Sequence, residues 1–247
     1  MTPTTLIAPV LAATSTKAST TTLLTGTKLL PWVLSALVEI TPLRNQIPYF
    51  CTGVRVSREW VLTAAHCLDQ IDSLTVQGHY IGATKQAVDI KKIHVNPHYF
   101  ADRSFHDLAL IEVIDDKAPY IHDVFNGSIE NVDHQHEVFR LGLRMDDHGN
   151  PVNTTSQAHL LSPVPSFDPI ANKTFKSDDL YMMFTQDSIA QVGHSGGPLV
   201  VTDDHGNASL LAIHSGVKKL QSRGDYAYSV HLKPYVPWMD SVTGERF

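Results

Sequence analysis

The chain has 247 residues, of which 43% are hydrophobic and 18% charged, and its formal net charge is −6. At this length roughly 70–75% of the unfolded surface can be buried, so a core forms without a metal or a disulfide scaffold. No basic block supplies the footprint of a nucleic-acid or anionic-membrane binder, and no apolar run approaches the ~18 residues that span a bilayer.

Residues 1–22 stand apart from the rest. Residues 6–13 (LIAPVLAA) form a short apolar run followed by small residues, as in a signal peptide, but lack a basic segment before it. The Thr/Ser-rich stretch 14–22 reads as a linker. Folded sequence is expected from residue 23. Strand-like runs follow at 30–38, 50–56, 60–63, 73–78, 91–95 and 108–113, broken by Gly, Pro and Asn. The texture resumes at 137–143, 160–164, 180–185, 198–202, 210–214 and 226–232, and residues 234–243 suit a short helix. Two sets of about six strands joined near 118–131 argue for an all-β fold of two barrels. A single large sandwich fits the pattern alone equally well.

Three short motifs carry chemistry. Residues 62–67 read Leu-Thr-Ala-Ala-His-Cys, residues 105–110 read Phe-His-Asp-Leu-Ala-Leu, and residues 193–198 read Gly-His-Ser-Gly-Gly-Pro. A serine between glycines sits where the backbone turns sharply and aims two N–H groups at one point, as a nucleophile with an oxyanion site requires. A serine hydroxyl needs a base to take its proton, and imidazole needs a carboxylate to fix its tautomer. His66, Asp107 and Ser195 supply those three groups.

In these motifs and in their order the chain resembles the chymotrypsin/trypsin-like serine peptidases, with weaker echoes at Pro31-Trp32, at 96–99 and at Trp238. The resemblance implies two six-stranded antiparallel β-barrels (about 23–120 and 132–233) and a short C-terminal helix within a peptidase domain spanning 23–247. It implies His66 as general base, Asp107 as its orienter, Ser195 as nucleophile, and the amides of Gly193 and Ser195 as the oxyanion hole. It also implies a Cys51–Cys67 disulfide around the histidine loop. For the substrate pocket it implies Ile189 at the floor, and His214, Ser215, Gly216 and Gly224 in the walls. An apolar side chain at the cleavage position follows from Ile189, whereas a two-residue gap would place Asp187 there instead.

The expected reaction is hydrolysis of peptide bonds in proteins through an acyl-enzyme, without cofactor. Protein or peptide substrates are the expected partners, and protein inhibitors a further class, with no nucleic acid and no membrane span. Secretion is expected, and four Asn-x-Ser/Thr sequons, at Asn126, Asn153, Asn172 and Asn207, lean the same way towards a glycoprotein. Fourteen histidines form no HExxH or other zinc signature, so no metal is expected.

Two departures qualify the resemblance. The family has an aspartate before the serine, which receives the N-terminal ammonium after activation cleavage; here the residue is His194, which cannot pair with an ammonium. No Arg or Lys immediately precedes the Leu23-Leu24-Thr25-Gly26 stretch, where the family is cleaved. The oxyanion loop is therefore expected either to be held by another contact, with His194 hydrogen-bonded internally, or to stay unformed. His214 also departs, standing in the place of a small serine that supports the triad aspartate in the family. The alternative function is thus a catalytically weak or inactive homologue serving as a binding or regulatory module.

Overall fold

The computed structural model describes residues 31–78, 86–99, 106–114, 118–127, 132, 137–160, 167–168, 173–174, 180–184, 191–203, 207–220 and 224–247. Sixteen strands and two short α-helices are assigned among them.

The expected strand over 30–38 begins instead as a helix, α1 (Pro31–Ser35). Proline fixes φ near the helical value and needs no N–H in the first turn, so Pro31 starts the helix and Val33 seats it in the core. The first sheet comprises β1 (Leu37–Arg44), β2 (Ile47–Pro48), β3 (Cys51–Arg55), β4 (Trp60–Thr63), β5 (Ser73–Gly78), β6 (Gln86–Val95) and β7 (Ala109–Ile114). Its order is β2-β1-β3-β4-β7-β6-β5, and β1 also pairs with β5. That pairing closes six of the strands into a barrel and leaves β2 as a flap. Asn45 and Gln46, both at positive φ, form the two-residue turn into the flap.

The second sheet has the order β10-β13-β16-β15-β14-β8-β9. Its members are β8 (Glu137–Met145), β9 (Pro151–Gln157), β10 (His159–Leu160), β13 (Leu180–Phe184), β14 (Pro198–Thr202), β15 (Ala208–Leu220) and β16 (Gly224–His231). The strands β11 (Phe167–Asp168) and β12 (Lys173–Thr174) form a separate hairpin. The all-β architecture is the expected one: six strands close into the first barrel, and seven strands form the second sheet, whose pairings among the described residues do not close it. The chain ends in α2 (Val236–Thr243), with Pro237 in its first turn, Met239 buried and Gly244 in a left-handed cap.

Strands β3, β4 and β14 are buried along their whole length, because each lies between neighbouring strands and the core. The polar strand β9 escapes the sequence pattern because it lies at a sheet edge and pairs with β8 alone. A main core of residues from both sheets, including Leu37, Leu62, Leu110, Leu141 and Ile213, joins the two halves. The candidate residue Ser195 lies at that junction, its carbonyl bonded to Thr52 N–H of β3.

Candidate active site

His66 lies in a short 3-10 turn (Ala65–Leu68) that follows β4, and Asp107 lies two residues before the start of β7. β4 and β7 pair antiparallel, with Thr63 opposite Ala109, so the sheet register brings the ends carrying these side chains together. Asp107 is fully buried and its carboxylate accepts three hydrogen bonds. Oδ1 accepts the main-chain N–H of His66 at 2.7 Å. Oδ2 accepts His66 Nδ1–H at 2.7 Å and the hydroxyl of Ser215. Donation from Nδ1 leaves Nε2 as the free basic nitrogen of the neutral ring, the tautomer a general base needs. The ring is 37% exposed, open to an incoming group.

The peptide entering Asp107 is itself held. His106 adopts φ +54, a left-handed conformation unusual for a side-chain-bearing residue, and its Nδ1 is bonded to the Tyr235 hydroxyl at 2.7 Å. Tyr235, just ahead of α2, thus braces the aspartate segment from the far end of the chain.

The Ser215 contact corrects the wall assignment made from the sequence. The resemblance puts His214 in the position of the family's supporting serine and Ser215 in the wall; in the structure it is Ser215 that supports Asp107. The β15–β16 register shifts between His214 and Gly216, and such a bulge leaves one residue unpaired and turns its side chain. That residue is Ser215, buried against Asp107. His214 is 2% exposed, so it cannot line an open pocket. Burial, first, and then the positive charge of Arg140 hold its imidazole well below the usual histidine range. Ser215→Ala removes a hydrogen bond to a buried charge, worth about 1.5–3 kcal/mol, so ester hydrolysis should slow by roughly 10–100-fold in kcat. An unchanged kcat would assign Ser215 to packing alone.

Ser195 sits in a turn whose amides divide into two sets. His194 N–H donates to Gln191 O at 3.1 Å, Gly196 N–H to His214 O at 2.8 Å and Gly197 N–H to His194 O at 2.9 Å. The amides of Gly193 and Ser195 take no backbone partner among the described residues. These are the two amides expected to form the oxyanion hole. Gly193 has φ +102, and a Cβ there would lie 2.4 Å from Phe50 Cδ1. Gly196 has φ +81, and a Cβ there would lie 2.2 Å from both Thr52 O and Thr63 Oγ1. Both conformation and space demand glycine at these positions. The same contacts press the turn against Thr63 and Ala64, the residues leading into His66. No hydrogen bond joins Ser195 Oγ to His66 among the described residues, and His66 Nε2 lies 3.7 Å from Cys67 Sγ. Catalytic hydrogen bonds in resting sites are often long and tighten only in the reacting complex.

His194 is buried and internally bonded. Its Nδ1 accepts Gln191 N–H at 3.2 Å, which assigns the proton of the neutral ring to Nε2. Nε2 then donates to Thr154 Oγ1 at 2.9 Å, and Thr154 Oγ1 donates to Gly142 O at 3.0 Å. Gly142 makes room for the ring: a Cβ there would stand 3.1 Å from His194 Cδ2. Burial, then Arg140 and Arg144, push the imidazole down to about 4.

Cys51 and Cys67 form the disulfide. With His66 they make the cluster of potential metal-binding atoms, all within 4.8 Å of one another, but both sulfurs are committed to the S–S bond and only one donor remains. Asp187 and Ile189 lie outside the described residues; Gly224 opens β16. Val192 is 86% exposed beside Gly193. Of the sequon residues, Asn126 and Asn207 are exposed, Asn153 is half-buried with its Oδ1 enclosed, and Asn172 lies outside the described residues.

A closed antiparallel barrel joined to a second sheet, with histidine, aspartate and serine gathered at the junction, defines the chymotrypsin-like serine peptidase class. The Trypsin family profile matches residues 27–239, and the chain belongs to that family. The venom peptide isomerase heavy chain of Agelenopsis aperta is 26% identical over 204 residues, covering 73% of this chain and 82% of that protein. Vitamin K-dependent protein C of Rattus norvegicus is 40% identical over 68 residues, 26% of this chain. The chain thus spans only 15% of the length of that protein, and likewise of its Mus musculus counterpart. Among solved structures, HL collagenase superposes with a TM-score of 0.69 at 19% identity, covering 88% of this chain and 96% of that one, a likeness of fold.

Proposed function

We propose that this protein is a serine endopeptidase that hydrolyses peptide bonds in proteins. The observation that carries the reading is the Asp107 carboxylate gripping both the ring and the main chain of His66. In the proposed reaction His66 Nε2 takes the Ser195 proton as Oγ bonds to the substrate carbonyl carbon. The resulting oxyanion is met by the Gly193 and Ser195 amides. His66 then protonates the leaving amine, the C–N bond breaks, and an ester to Ser195 remains. Water, deprotonated by His66, attacks that ester and frees the acid and the serine.

An apolar side chain at the cleavage position is part of the proposal. It is supported by Ile189 in the sequence and by the exposed apolar residues Val192 and Val217. Secretion is supported by the disulfide and the family. The rival reading, a non-catalytic binding module, draws on the missing Ser195–His66 hydrogen bond.

Labelling by a fluorophosphonate probe decides between them. The wild-type protein should be labelled and Ser195→Ala should not. Equal labelling of the two, or none of either, would overturn the peptidase reading.

A further inference from the structure

We infer that Thr52, His194 and Thr154 are positioning residues that hold the oxyanion loop from two sides through uncharged hydrogen bonds, so that the loop needs no ion pair with a chain terminus. The inference rests on the peptidase reading and specifies how its anion-binding turn is kept in shape.

Thr52 lies in β3, on the first barrel, and is fully buried. Its hydroxyl donates to Gly193 O at 2.6 Å and accepts from Leu143 N–H, on the second sheet, at 2.8 Å. Its main-chain N–H donates to Ser195 O at 2.8 Å, and its carbonyl accepts from the Thr63 hydroxyl at 2.8 Å. One residue therefore fastens the loop at both positions whose amides are left free.

The consequence follows from the planarity of peptide units. The plane joining residues 193 and 194 is pinned at its oxygen by Thr52 and at its N–H by Gln191 O. The plane joining 195 and 196 is pinned at its oxygen by Thr52 N–H and at its N–H by His214 O. The plane joining 194 and 195 is held at its oxygen by Gly197 N–H, and its other end is the Ser195 amide. Fixing the oxygen of a planar unit aims the N–H opposite, so this bond directs the Ser195 amide towards the reacting carbonyl.

The second hold lies behind the loop. The His194 ring bridges Gln191 N–H to Thr154 Oγ1, and Thr154 passes the bond to Gly142 O on β8. Every donor in that relay meets an acceptor with the ring neutral, and the neighbouring charges, Arg140 and Arg144, are of the sign that keeps it neutral. A carboxylate in this place needs a cation; the imidazole needs only Thr154.

The test uses Thr52→Val, Thr52→Ser, Thr154→Val and Thr154→Ser, with p-nitrophenyl acetate as substrate and the fluorophosphonate as active-site label. Each valine variant should lose about 100-fold in kcat, the effect of a small misplacement of catalytic groups, with KM little changed. Each serine variant, which keeps the hydroxyl, should regain most of the loss. An N-terminal tag should leave kcat unchanged. A valine variant as fast as wild type, a serine variant as slow as valine, or a tag-dependent loss restored by cleavage would each overturn the inference. If Thr52→Val fails to fold, Thr154→Val on its edge strand carries the comparison. If the wild-type protein reacts with neither probe, the peptidase reading fails by itself. The loop is then judged by hydrogen exchange over residues 191–197: faster exchange in Thr154→Val supports the hold, and equal exchange overturns it.

Discussion

Replacing His66 by alanine is expected to lower kcat for ester hydrolysis by about 10⁶-fold, because the proposed mechanism hands the Ser195 proton to its Nε2. Asp107→Asn should cost about 10⁴-fold. The two carboxylate oxygens receive three hydrogen bonds: the main-chain and ring N–H groups of His66 and the Ser215 hydroxyl. An amide has one oxygen, so its NH2 group must face one of these donors. Facing the ring, it turns Nδ1 into an acceptor and places the ring proton on Nε2, where the base has to be free. Pre-steady-state acylation by p-nitrophenyl acetate measures both variants. A loss smaller than about ten-fold for His66→Ala would remove it as the base, since general-base catalysis alone contributes about 10²–10⁴-fold.

Acidification is the second large effect. His194 titrates at about 4 in the folded protein, below its usual 6.5, because burial and then Arg140 and Arg144 disfavour its charge. Above 6.5 the ring is neutral in both folded and unfolded chains, and its contribution to stability is fully present. As pH falls from there towards about 4, the unfolded chain takes up a proton that the folded one refuses, so stability is lost. The separation corresponds to about 3 kcal/mol by the lower end of that window, or roughly 6–12 °C in Tm for a domain of this size. His214, also pushed down by burial, adds its own share, so the measurement is a difference. Chemical unfolding of the wild-type protein and of His194→Gln across this range should show the shallower pH dependence in the variant. Parallel curves would place the titration elsewhere.

His66, Asp107 and Ser195 stand out in the sequence because each lies within a short contiguous motif, and the disulfide was legible because the family resemblance pairs its cysteines. Strands such as β4 and β14 were legible because burial on both faces leaves apolar runs, residues 60–62 and 198–201, at their cores. β9 was not, since an edge strand of Asn, Thr, Ser and Gln has little apolar signal. The role of Ser215 was misread by one residue because a bulge leaves no mark on the sequence. Thr52 and Thr154 gave no warning at all. Each acts on a residue far away in the chain, Gly193 and His194, through bonds that only the tertiary fold creates. His194 was visible as an anomaly, but its partner was not.

The disulfide joins Cys51, which precedes Thr52, to Cys67, which follows His66. Thr52 grips the turn around Ser195 from one end of this covalent ring, and the imidazole hangs from the other. The ring therefore works as a mechanical linkage: a displacement of the turn around Ser195 pulls on the segment that carries His66. In the proposed mechanism the amides that meet negative charge and the imidazole that receives the proton are held in step by one covalent ring, closed between residues sixteen apart in sequence.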